Sequence, residues 1–185
     1  MPQSSTAPAI TKRLNLATPE AMHALGAQLA RALVRVARGD PHASAPADAP
    51  RAAVVVAFEG ELGAGKTTLI SGLLHALGVQ GAVRSPTYTL IEPYEVAGLS
   101  LYHLDLYRLA DPQDVETLGL RDLLSPAAVL LIEWPSRGAG WLPKADLECA
   151  IDYAPAPAPG RTVTLRAGSP LGHKVLQRML AAMPE

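Results

Sequence analysis

The chain has one cysteine, Cys149, one phenylalanine, Phe58, and two tryptophans among its 185 residues, and aromatic side chains make up only 4% of it. A lone cysteine excludes an internal disulfide and any cysteine-rich metal site, and it fits a reducing compartment. No stretch approaches the roughly 18 consecutive apolar residues of a membrane span. The start, MPQSSTAPA, lacks the apolar centre of a secretory signal. The expectation is a cytoplasmic protein with no membrane attachment. A charge excess is missing too: the net charge is −1 and the pI about 6.5, which argues against DNA or an anionic membrane held by bulk attraction. With few rings and 32 alanines in a 49% hydrophobic chain, the core must be aliphatic and finely divided.

What is present is uneven along the chain. Residues 1–58 and 155–185 each carry a net +3, while residues 59–154 carry −7. The length is that of one domain, and the pattern predicts a loose tail at 1–9 followed by a single domain over 10–185. A short strand is expected near Ile10–Leu16. Thr18 and Pro19 supply a hydroxyl cap and the imino residue favoured at the first helical position, and apolar residues from Ala21 to Val36 keep helical spacing. The segment 39–52, GDPHASAPADAPRA, has several helix breakers and no periodic face, and reads as a mobile insertion.

Two continuous apolar runs, Val54–Phe58 and Val129–Ile132, have the character of strands covered on both faces in a parallel sheet. Leu69, Ile70, Leu73, Leu74 and Leu77 repeat at helical spacing up to Gly78. Further strands are expected near 88–96, 100–107, 147–153 and 162–166, a short helix opening at Asp111-Pro112, and a terminal helix over Leu171–Met183. Alternating strands and helices predict an α/β fold.

Between the first apolar run and its following helix lies Gly60-Glu61-Leu62-Gly63-Ala64-Gly65-Lys66-Thr67, which matches G-x-x-x-x-G-K-[ST] in the strand-loop-helix context that gives the pattern meaning. Its glycines permit a tight turn whose N–H groups face a polyphosphate at the positive end of the helix dipole. Lys66 would reach the β- and γ-phosphates, and the Thr67 hydroxyl would ligate Mg²⁺. The predicted fold is therefore α/β and P-loop NTPase-like, with a central, mostly parallel sheet and helices on both faces. Guanine readers carry [NT]-K-x-D; Pro143-Lys144-Ala145-Asp146 lacks the polar first residue, so adenine is the expected base.

Such a site needs a carboxylate at the end of a neighbouring strand. Glu133 follows the run 129–132, and Asp105 is its rival. Strand alternation puts Leu101, His103 and Asp105 on one face, with His103 read as a structural neighbour. Tyr88, Tyr94, Tyr102 and Tyr107 crowd into 88–107, which either packing or the site could explain, while Trp134 beside Glu133 is read as part of the site or its lid. Arg84, Arg108, Arg121 and Arg137 are read as solvated surface, and Cys149 as buried and inert.

Together, GELGAGKTT (60–68), SPTYTL (85–90), YHLDLYRL (102–109) with the trailing ADP (110–112), and IEWP (132–135) resemble the bacterial TsaE family, formerly YjeE, in order and spacing, over about residues 10–170. The resemblance implies a small ATPase with ATP and Mg²⁺ as cofactors. It would act with TsaB and TsaD homologues in forming N6-threonylcarbamoyladenosine in tRNAs that read codons beginning with A, and would meet tRNA through that complex. It implies nucleotide contacts at Gly60, Glu61, Leu62, Gly63, Ala64, Gly65, Lys66, Thr67, Thr68, Thr87 and Trp134. It also implies Thr67 and Glu133 on the metal, and Lys66, Asp105 and Glu133 in catalysis. The insertion at 39–52 and the Pro/Ala-rich segment after 155 depart from the family pattern. A small-molecule phosphotransferase using the same loop is one rival reading, and it would need an arginine-bearing lid over an acceptor; the other is a nucleotide-dependent switch, in which ATP orders the segments 85–90 and 102–109 and a partner reads them.

Overall fold

The computed structural model describes residues 10–38, 53–155 and 159–182; the expected tail at 1–9 and insertion at 39–52 lie outside them. Among the described residues seven strands form one sheet in the order β1-β7-β6-β2-β5-β4-β3. The four central strands, β6 (Leu147–Tyr153), β2 (Val54–Glu59), β5 (Ala128–Glu133) and β4 (Leu99–Asp105), run parallel to one another. The margins are antiparallel: β3 (Ile91–Val96) pairs with β4, β7 (Arg161–Ala167) with β6, and β1 (Thr11–Leu16) with β7. The two runs read as doubly covered strands are the two middle ones. All six residues of β5 are buried, as are the first five of β2.

Three long helices cover one face. In α1 (Pro19–Ala37) the Thr18 side chain accepts from the Ala21 N–H at 3.2 Å, which satisfies one of the donors a helix start leaves free. Met22, Leu25, Leu29 and Leu33 then face the sheet and α2 (Lys66–Ala76). The two helices approach closely where both lack a side chain: a Cβ on Gly26 would lie 2.1 Å from the Leu69 carbonyl oxygen, and one on Gly72 2.5 Å from the His23 backbone. Side chains there would force the helices apart. α4 (Pro170–Ala181) completes this layer with Val175, Leu176 and Met179. Phe58, the one phenylalanine, is fully buried beneath it.

The other face has a thinner cover, built from a 3-10 helix at Pro112–Leu118, the single-turn α3 (Leu120–Leu123) and a second 3-10 turn at Pro135–Gly138. The helix expected at Asp111-Pro112 is thus present in 3-10 form. Asp111 and Asp114 close a reciprocal capping box at its start, and Gly119, in the left-handed conformation, ends it after seven residues. Beside the turn at Pro135–Gly138 the sheet leaves a cleft of about 320 Å³ over Val55, Ala57, Ile132 and Ala150. Asp146 ties down the far end of the sheet. Its carboxylate accepts from the Val55 N–H at 2.9 Å and from the Ser169 hydroxyl. It therefore stands at the start of β2, away from the loop that follows the end of that strand.

Cys149 is buried in β6, and burial pushes its thiol up to about 12. The thiolate is the reactive form, so the native protein should resist iodoacetamide at pH 8 and become labelled only on denaturation. Rapid labelling of the folded chain, followed by mass spectrometry, would contradict this.

Candidate functional site

The site gathers where parallel strands end, the position that open α/β sheets favour for ligands. Phe58 of β2 lies in register with Glu133 of β5, and Glu133 with Asp105 of β4. Three consecutive strands therefore deliver the glycine loop and both predicted acids to one edge.

The loop leaves β2 through Gly60, whose φ of 151° and close approach to β6 exclude a side chain: a Cβ would sit 2.4 Å from the Ile151 carbonyl oxygen. Gly65, at φ 110°, turns the chain into α2 and provides no side-chain cap. The first-turn N–H groups are thus left for a ligand at the positive end of the helix. The Ala64 N–H closes onto the Glu61 carbonyl at 3.1 Å. Leu62 is 69% exposed on the outer side of the loop, and Thr68 continues α2 after Thr67.

Lys66 is buried. Its Nζ donates to the carbonyls of Gly60 at 2.7 Å and Glu61 at 3.0 Å, and stands 3.7 Å from the centroid of the Trp134 ring. Burial lowers its ammonium below the usual lysine value, against the opposing pull of Glu133, Glu59 and Asp105. Trp134 takes a left-handed backbone conformation, φ 58°, that is costly for a bulky residue. Its N–H bond to the Phe58 carbonyl, 3.1 Å, fixes that conformation and aims the ring at the lysine. Tyr107 lies 5.0 Å from Trp134, with the Arg137 guanidinium 5.9 Å from the Tyr107 ring.

The Thr67 hydroxyl bonds both oxygens of Glu133, at 2.9 and 3.0 Å. On its other side Glu133 meets His103 Nε2 at 2.8 Å. That contact selects the tautomer with its proton on Nε2, while His103 Nδ1, also buried, has no hydrogen-bond partner among the described residues. The ring assigned only a structural neighbourhood by the sequence therefore holds the acid directly. Thr67 and Glu133 offer the hard oxygens that Mg²⁺ prefers. Such an ion takes one or two protein ligands and completes its shell with phosphate and water, so this donor set fits it. Among the described residues no cluster of three or more His, Cys, Asp or Glu side chains forms a separate cage.

Asp105 faces a different set of partners. Its Oδ2 accepts from Ser85 and, at 3.0 Å, from Thr87; its Oδ1 accepts from the Tyr107 N–H at 2.9 Å. The two segments read as switches are thus latched to each other through this carboxylate. Tyr88, in the first of them, is 82% exposed, with Arg108 of the second stacked 4.4 Å from its ring. Sequence reasoning named Thr87 as a nucleotide contact only, and missed both Thr87 and Ser85 as partners of Asp105. It also missed Tyr153 and Arg161, which reach the glycine loop from the β6–β7 hairpin and belong to no motif.

Strand, glycine loop and helix in succession, with an acid from the adjacent parallel strand bonded to the loop threonine, define a P-loop NTPase-like α/β protein. The family profile "Threonylcarbamoyl adenosine biosynthesis protein TsaE" matches residues 16–162. The chain belongs to the TsaE family, which serves tRNA threonylcarbamoyladenosine biosynthesis. The tRNA threonylcarbamoyladenosine biosynthesis protein TsaE of Haemophilus influenzae is 48% identical over 124 residues, 67% of this chain and 77% of that one. Its Bacillus subtilis counterpart is 41% identical over 100 residues, 54% and 62% of the two chains. The crystal structure of Bacillus subtilis YdiB shares the fold, with a TM-score of 0.66 over 95% of this chain and 98% of that one at 24% identity.

Proposed function

We propose that the chain binds and hydrolyses Mg²⁺-ATP as an accessory of TsaB and TsaD homologues in forming threonylcarbamoyladenosine, meeting tRNA through that complex. The observation that carries this reading is the Thr67–Glu133 bond beside Lys66 and an uncapped helix start. Bound Mg²⁺ would supply charge neutralisation at the phosphates, with Thr67 and Glu133 as its protein ligands. Lys66 would exchange the carbonyls of Gly60 and Glu61 for phosphate oxygens, and the Trp134 ring shields the ammonium from water. Asp105, held beside Glu133 at the strand ends, would orient the attacking water, with Thr87 answering the γ-phosphate.

The partner reading rests on Tyr88 and Arg108. Stacked aromatic and arginine side chains are the residue types that dominate protein interfaces, and both belong to segments that Asp105 latches. A partner seated there would act on the acid itself. Turnover by the isolated chain should be slow and should rise when TsaB and TsaD homologues are titrated in together. A flat phosphate-release rate across that titration would exclude the coupling. A phosphotransferase would instead need an acceptor under basic lid residues, and Arg137 is directed onto the Tyr107 ring.

A further inference from the structure

We propose that Arg161 and Tyr153 of the β6–β7 hairpin are positioning residues that hold the glycine loop in its nucleotide-receiving shape. The inference rests on the nucleotide-binding reading of that loop. Arg161 opens β7 and pairs across the hairpin with Tyr153, the last residue of β6. Its Nη1 donates to the Gly160 carbonyl at 2.9 Å, and its guanidinium lies 4.1 Å from the Tyr153 ring centre. The fork is thus fixed within its own hairpin before it touches the loop.

From that position the pair takes three consecutive loop carbonyls. Arg161 Nε donates to the Ala64 oxygen at 2.9 Å and Nη2 to the Gly63 oxygen at 3.1 Å, while the Tyr153 hydroxyl donates to the Leu62 oxygen at 3.1 Å. In a planar trans peptide the carbonyl and the N–H point in opposite directions. Drawing the oxygens of 62 and 64 toward the hairpin therefore turns the N–H groups of Gly63 and Gly65 away from it, to the side a phosphate would occupy. The intervening Ala64 N–H is closed onto Glu61. The fit is tight on the hairpin side: a Cβ on Gly63 would stand 3.2 Å from the Tyr153 hydroxyl. Arg161 also satisfies carbonyl dipoles that would otherwise bring negative potential to an anion site.

The test compares the full-length wild type with Arg161→Gln, Arg161→Lys and Tyr153→Phe by calorimetric titration with Mg²⁺-ATP and by amide hydrogen exchange of the nucleotide-free chain. Arg161→Gln should weaken ATP binding about tenfold and speed exchange at Ala64, the loop amide closed onto Glu61, with β2 and β5 as protected as before. Arg161→Lys should recover part of the affinity, since an ammonium can still reach one carbonyl. Tyr153→Phe keeps the ring under the guanidinium and should have a smaller effect. Wild-type affinity together with wild-type loop exchange in Arg161→Gln would overturn the proposal. Loss of protection spread over the whole sheet would overturn it too, because that marks a folding role. If the wild type fails to bind ATP, the proposed function falls, and exchange at Ala64 still decides whether the hairpin shapes the loop.

Discussion

Replacing Glu133 with glutamine should abolish the Mg²⁺-dependent gain in ATP affinity and lower turnover by about a hundredfold or more, while leaving the protein folded. The amide conserves the shape of the site. Its carbonyl oxygen can accept from both Thr67 and His103, as Oε1 does now at 2.9 and 2.8 Å, and its NH₂ can donate to the Thr67 hydroxyl oxygen in place of the 3.0 Å contact at Oε2. What the variant loses is the negative charge that a divalent cation needs. Alanine would do more damage. His103 is fully buried, so removing the acceptor of its Nε2 leaves an unsatisfied donor costing about 1–3 kcal/mol, or roughly 2–4 °C in Tm per kcal/mol for a chain of this size. Calorimetric titration with and without Mg²⁺, beside thermal melts of both variants, separates the two losses. Undiminished Mg²⁺ dependence in Glu133→Gln would remove Glu133 from the metal's coordination.

The contrast between Glu133 and His103 shows where sequence reasoning stops. A carboxylate after a continuous apolar strand is readable because the strand is local and its end is unambiguous. The same holds for Thr18-Pro19, for the glycine loop and for the buried runs of β2 and β5. His103 could be placed on a face by alternation, but what stands opposite that face depends on β4 and β5 pairing in register, with His103 two residues before Asp105. That register arises from contacts between segments about 30 residues apart. The hairpin contacts lie further beyond local reading: Arg161 meets the Gly63 and Ala64 carbonyls almost 100 positions away, through backbone oxygens that leave no trace in side-chain pattern. α3 and the turn at Pro135–Gly138 are each four residues long, too short to show a helical period. Apart from the helix opening at Asp111-Pro112, the thin cover of the second face is hidden for the same reason.

Asp105→Asn should leave ATP affinity near that of the wild type and reduce hydrolysis by about a hundredfold or more, the range expected when a residue that orients or deprotonates the attacking group is lost. The latch can survive the change. The Asn carbonyl can accept the Tyr107 N–H as Oδ1 does at 2.9 Å, and the amide NH₂ can donate to the hydroxyl oxygens of Ser85 and Thr87, which are able to accept as well as donate. Both switch segments then stay in place, and Lys66, Thr67 and Glu133 are untouched. Only the acceptor charge is gone, and with it the capacity to draw a proton from water or hold it in line. Asp105→Ala gives the complementary loss, because the Tyr107 N–H and both hydroxyls lose their common partner. Tyr88 and Arg108 should then move with the freed segments, and stimulation by TsaB and TsaD homologues should fall along with hydrolysis. Single-turnover phosphate release, measured beside equilibrium ATP binding, distinguishes the variants. A normal rate in Asp105→Asn would mean that the carboxylate serves only to latch the switches, and that the water is oriented elsewhere.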